Sequence, residues 1–205
     1  RRGVGVAIGI YNANDDGPDD ASSHVELTRE GVTIYNTWED HGQGADMGCV
    51  GTAHEALRPL GLEPEQIKLV CNDTAKAPNS GAAAASRSQV MVGNAIVDSC
   101  RKLLDAMRRP DGTYRTYDEM VAEGLPTYHE GYWKATLRNR EGEVQFCTDM
   151  DGETGQGYPF ANHMFGLFMA EVAVNVATGK VAVERFTLVS DVGKINNIAV
   201  VEGQL

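Results

Sequence analysis

A chain of 205 residues, 42% hydrophobic and 23% charged, has the balance of a globular protein large enough to bury a core. Its formal net charge of -11 argues against binding nucleic acid or an anionic membrane surface. No apolar run nears the roughly 20 residues that cross a bilayer, and because the chain is acidic any anion must be met locally, by backbone N–H groups and helix N-termini rather than by a basic field.

The start, Arg1-Arg2-Gly3-Val4, lacks the apolar stretch of a signal peptide, and the segment from Gly3 to Tyr11 reads as a strand with close-approach glycines. Residues 12–22 read as a polar loop. His24–Leu27 and Val32–Trp38 form two strands around the turn Arg29-Glu30-Gly31, a hairpin. A helix is expected from Asp46 to Leu57, with Met47, Val50, Ala53 and Leu57 at helical spacing, ended by Pro59 and Gly61. A helical turn at Glu63–Gln66 precedes the strand Ile67–Cys71, and a loop from Asn72 to Ala83 leads to the longest helix, Ala84–Arg108. Its apolar stripe is Val92, Ile96, Cys100, Leu103 and Met107, and Pro110 stops it.

Further on, Tyr117–Glu123 reads as a short helix, Tyr128–Leu137 as a strand and residues 151–157 as a Gly-rich loop. Met164–Val176 and Val181–Val189 form a strand pair around the turn Ala177-Thr178-Gly179-Lys180. Ile198–Leu205 has the first turns of a helix. The fold class expected is mixed α/β (α+β), with antiparallel hairpins packed on two main helices. Residues 1–205 read as one partial domain, truncated at both ends, within a larger protein.

Cys49, Cys71, Cys100 and Cys147 form no C-x-x-C pair and supply no iron–sulfur or zinc ligand set. Cys100 reads as a reduced core thiol, which suits a reducing compartment. Two loops share a design of strand, small polar turn and helix: Asp40 to Gly48, and Pro78 to Gln89. Small residues let a ligand approach the backbone, Ser86 and Ser88 add hydroxyls, and Arg87 adds a forked donor. Taken alone, such turns are more often tight turns and helix caps than ligand sites. Glu39 and Asp40 read as strand-end acids.

Together these segments resemble the molybdopterin-binding domain of the xanthine oxidase family. EDHGQGADMG is similar to that family's Gly-Gln-Gly loop, and PNSGAAAASRSQ to its Pro-Asn…Ala-Ala-Ser-x-Ser loop. FGLFMAEVAVNVATGKVAVERFTLVSDVG resembles its strand pair ending in Asp-Val-Gly, and Gln204 matches a following Gly-Gln. His41 and WEDHGQGADMGCVGTAHEALRP look closest to bacterial aldehyde oxidoreductases of sulfate-reducer type. The resemblance implies a molybdenum enzyme that oxidises aldehydes to carboxylic acids with water as the oxygen source. The metal would sit on a molybdopterin cytosine dinucleotide without a protein ligand.

By the same resemblance, Gly42 and Gln43 would hydrogen-bond the cofactor, and Ala84 and Ala85 would lie beside the metal. Ser86, Arg87 and Ser88 would contact the pterin or its phosphates, and Gln204 would approach from the last helix. His41 would face the substrate pocket. The family's base glutamate and its two [2Fe–2S] clusters have no counterpart here and would lie in the rest of the parent chain. That parent would be a cytoplasmic homodimer passing electrons to an acceptor protein. The alternatives are a purine or N-heterocycle hydroxylase of the same family, and a non-catalytic cofactor-binding or assembly module.

Overall fold

Residues 1–13, 19–71 and 73–205 are described by the structure, a computed structural model. In chain order they form β1 (Arg2–Ala13), β2 (Asp20–Leu27), β3 (Val32–Tyr35), α1 (Ala45–Ala56) and β4 (Ile67–Val70). A π-helical turn over Ser88–Val92 runs directly into α2 (Gly93–Met107). There follow α3 (Tyr117–Ala122), β5 (Tyr128–Lys134), β6 (Thr136–Arg138), β7 (Val144–Phe146), β8 (Asn162–Val174), β9 (Val181–Asp191) and α4 (Ile198–Gln204). Two sheets carry the architecture, one ordered β4-β3-β2-β5 and one ordered β1-β8-β9, with β6-β7 a separate hairpin. The mixed α/β class read from the sequence is the one observed.

The four-stranded sheet forms because β2 alternates cleanly: Ala21, Ser23, Val25 and Leu27 are buried, and the residues between them are not. That period of two gives one face to the core. Against it lies α2, whose Ile96, Cys100, Leu103 and Met107 are buried along the stripe expected from 3.6-residue spacing. Burying an aliphatic side chain of this size contributes about 1.5–3 kcal/mol. Burial also pushes the Cys100 thiol up to about 12, so at neutral pH it stays an inert thiol of the core. Helix and sheet meet at Gly131 of β5, where a Cβ would lie 2.1 Å from the Ala95 carbonyl oxygen.

Several boundaries differ from the sequence reading. The polar loop at 12–22 is narrower at both ends, since β1 reaches Ala13 and β2 begins at Asp20; residues 14–18, and Asn72 of the next loop, lie outside the described residues. The first hairpin's second strand ends at Tyr35 rather than Trp38. Asn36 ends it: its Oδ1 accepts the Trp38 N–H at 2.9 Å, and its Nδ2 donates to Cys49 Sγ at 3.2 Å. β3 pairs parallel with β4 across the α1 crossover, a contact outside the expected set of antiparallel hairpins. Tyr128–Leu137 is two strands broken at Ala135, whose N–H donates to the Asp19 carbonyl at 2.6 Å. β7 is three residues long, too short for a pattern to show.

The longest helix begins later than expected. Residues 84–86 are not helical, and the first regular turn is the π turn. On the second sheet, Val4, Val6, Ile8 and Ile10 of β1 and Phe186 of β9 are exposed. No helix among the described residues is long and apolar enough to cross a membrane.

Candidate functional site

The first loop is organised by Asp40. Its Oδ1 accepts the Gly42 N–H at 2.7 Å and its Oδ2 the Asp46 N–H at 3.0 Å, so one carboxylate closes the turn and ties it to the first turn of α1. These backbone donors, Asp46 foremost and then Gly42, hold its carboxyl below the usual carboxylate range. Glu39 reaches the second loop, its Oε2 accepting the Ala83 N–H at 3.4 Å. Both residues therefore organise loops and are more than the strand-end acids the sequence suggested.

A depressed folded-state pKa means that Asp40 stabilises the fold fully above its unfolded value. That contribution fades as pH falls through the folded value. Asp40→Asn is expected to remove this part of the acid dependence, and melting curves of both proteins from pH 7 down to about 3 would show it. Parallel pH profiles would refute the assignment.

Gln43 folds back on its own loop, its Oε1 accepting the His41 N–H at 2.5 Å and its Nε2 donating to the Glu39 carbonyl at 3.1 Å. The exposed His41 ring has its Nε2 3.7 Å from Glu39 Oε2.

The second loop is pinned by Ser80, fully buried. Its Oγ donates to the Ser22 carbonyl at 2.7 Å and accepts the Thr37 N–H at 3.1 Å, while its own N–H donates to Thr37 Oγ1 at 2.9 Å. Beyond it, Ala85 and Ser86 take positive φ, 45° and 57°. Non-glycine residues pay roughly 1–2 kcal/mol each for this region, and such strain gathers where the backbone must hold a special shape. Arg87 then returns to right-handed φ/ψ, a reversal of the kind that turns successive N–H groups toward one concave side. Among the described residues, the N–H groups of Ala84, Ala85 and Ser86 and the hydroxyls of Ser86 and Ser88 have no hydrogen-bond partner.

Both loops line one cavity of about 550 Å³, together with the segment 192–204. His41, Gln43, residues 84–88 and Gln204 all lie on its wall, so segments far apart in sequence converge there. Gly42 is not among the lining residues. The 192–204 segment is held by Asn196, whose Nδ2 donates to the Gly48 carbonyl at 2.9 Å and to Thr52 Oγ1 at 3.2 Å, and by the α4 cap at Asn197. The sequence reading missed Asn196, Ser80 and Asp40, three polar anchors whose partners only the fold identifies.

Arg87 departs from its expected role. Its guanidinium is buried, with Nε 2.7 Å from Asp19 Oδ2 and Nη2 2.8 Å from Asp19 Oδ1. It also donates to the carbonyls of Ser80 and Asp20. These protein partners take the fork that the sequence assigned to an anion. Among the described residues no cluster of three or more His, Cys, Asp or Glu side chains could hold a metal ion directly.

A family model described as the molybdopterin cofactor-binding domain matches residues 1–205. The chain belongs to the molybdopterin cofactor-binding domain family. It is 48% identical, over its whole length, to the aldehyde oxidoreductase of Megalodesulfovibrio gigas, and covers 22% of that protein. The crystal structure of the aldehyde oxidoreductase from Desulfovibrio desulfuricans superposes with a TM-score of 0.89 at 54% identity, over 99% of this chain and 21% of that one. Aldehyde oxidase 1 of Macaca fascicularis is 27% identical over 90% of this chain and 13% of its own. The domain thus spans about a fifth or less of the length of these relatives.

A molybdopterin fits the cavity's chemistry. The wall at Ala83, Ala84 and Ala85 carries no side chain larger than a methyl group, and the free N–H groups and hydroxyls suit an anionic group. The acidic overall charge is no obstacle, because the donors are backbone dipoles.

Proposed function

We propose that this domain forms one wall of the active site of a molybdenum-dependent aldehyde oxidoreductase, in which an aldehyde and water give a carboxylic acid, with the electrons passed on. The observation that carries the reading is the convergence of His41, Gln43, residues 84–88 and Gln204 on one cavity. The relatives named as aldehyde oxidoreductases support the choice of substrate class. When bound, the cofactor would supply the activated oxygen and accept the electrons.

The chain's own residues bind and orient. Gly42 and Gln43 hold one side of the pterin, which requires the Gln43 amide to leave its present partners in the loop. Ala84 and Ala85 keep space free beside the metal. The N–H and hydroxyl of Ser86 and the hydroxyl of Ser88 meet the pterin or its phosphates, and the Arg87 N–H joins them by leaving the Ala84 carbonyl it now meets at 2.7 Å. Gln204 closes the site from α4, and His41 stands at the substrate side. The pterin carries a cytosine nucleotide, and the remainder of the parent chain supplies the general base and two [2Fe–2S] clusters. The parent is a cytoplasmic homodimer that delivers electrons to an acceptor protein.

Elemental analysis of the full-length protein, with assays on aldehydes and on hypoxanthine, tests this directly. Stoichiometric molybdenum and turnover of aldehydes are the expected results. Turnover of hypoxanthine alone would move the reading to a purine hydroxylase. A metal-free native protein would sink it.

A further inference from the structure

We propose that Asp19 and Arg87 are a positioning pair that holds the Ala85–Ser86 turn in its left-handed shape. The inference rests on the cofactor reading above, and it concerns residues that touch no reacting atom. A left-handed turn built from Ala and Ser relaxes unless its neighbours over-determine it. Residue 87 is the first position after the strained pair, and its side chain is the most constrained polar group of the loop. The guanidinium is held at Asp19 through two nitrogens, at 2.7 and 2.8 Å, and donates to the carbonyls of Ser80 and Asp20. Side-chain exposure is 5% for Arg87 and 14% for Asp19.

Gly81 completes the grip: a Cβ there would lie 2.4 Å from the guanidinium, so only glycine lets the backbone close over it. The other end of the turn is fixed as well. The residue 87 N–H donates to the Ala84 carbonyl at 2.7 Å and the Val90 N–H to the Ser86 carbonyl at 3.2 Å. The loop is thereby tied through Asp19 and Asp20 to the start of β2, and hence to the sheet. A planar fork with fixed donor geometry can define such an orientation, whereas an ammonium on a flexible stem cannot.

An ordinary buried ion pair would stabilise the whole core alike. A positioning pair acts on one turn. The experiment compares Arg87→Lys and Asp19→Asn with Leu103→Val, a core change far from the turn, in the full-length protein. Amide exchange in the cofactor-free form is expected to rise about tenfold at residues 87 and 90 for the first two variants, with α2 beyond Cys100 unchanged. In Leu103→Val it rises along α2 instead.

Molybdenum retention gives the second readout: release is expected to be about tenfold or more faster in Arg87→Lys than in Leu103→Val. Glycine accepts positive φ without strain, so in an Ala85→Gly/Ser86→Gly background the Arg87→Lys effect is expected to shrink to about threefold or less. Equal effects in both backgrounds, or exchange raised uniformly along α2, would overturn the pair's role. A native protein without molybdenum would refute the cofactor reading instead, and the exchange data would still decide the pairing.

Discussion

Gly131→Ala is expected to destabilise the protein by about 3 kcal/mol or more, the upper end of overpacking penalties. The added methyl carbon would lie 2.1 Å from the Ala95 carbonyl oxygen and 2.7 Å from both Ser99 N and Ser99 Cβ. None of these is the free end of a flexible side chain. Relief requires α2 to lift from β5, which exposes Ile96 and Leu103 along the buried stripe. Gly152→Ala is the matched control, because its Cβ would meet nothing within 4 Å. Thermal melts of the two variants are expected to differ by several degrees or more, with Gly152→Ala within about 0.5 kcal/mol of the parent. Similar melting temperatures would mean that helix and sheet do not touch as described.

At the site, the largest effect is expected from Ala85→Val. Residue 85 has φ of 45°, where a β-branched side chain is a severe outlier, and it lies on the cavity wall. The substitution both disfavours the turn and places two methyl groups where the cofactor reading needs empty space. Molybdenum per polypeptide is expected to fall by about tenfold or more, with a smaller loss in melting temperature, because residue 85 is outside the core cluster. Ala85→Gly separates the two causes, since glycine suits the backbone and adds no bulk. Full molybdenum in the valine variant would remove residue 85 from the site.

Much of this was legible in the sequence, because periodicity reports one-sided burial. The alternation of β2, the stripe of α2 and the turn between β8 and β9 each announce their element. The site segments were legible through the resemblance of two loops to those of a known family, which their small residues alone did not establish, and the fold brings both to one cavity.

What could not be read depends on partners distant along the chain. Arg87 looks like a free fork until Asp19, 68 residues earlier, is placed beside it. Ser80 looks like a loop hydroxyl until it meets Ser22 and Thr37. The parallel pairing of β3 with β4 leaves no local mark, and neither Ala85 nor Ser86 belongs to the residue types that signal positive φ.

The π turn at Ser88–Val92 has a geometric consequence for how the domain divides its labour. An α-helix advances about 100° per residue, so one extra residue in a turn offsets everything before it by that angle relative to everything after. The residues that pack on the sheet and those that line the cavity therefore answer to two different angular frames joined at Gly93. Deleting one residue from the turn after Gln89 would rotate Ser88 and Gln89, which line the cavity, about the helix axis while the stripe of α2 kept its seat. The first turn of this helix acts as a gear offset, letting one segment satisfy the core and another aim at the cavity.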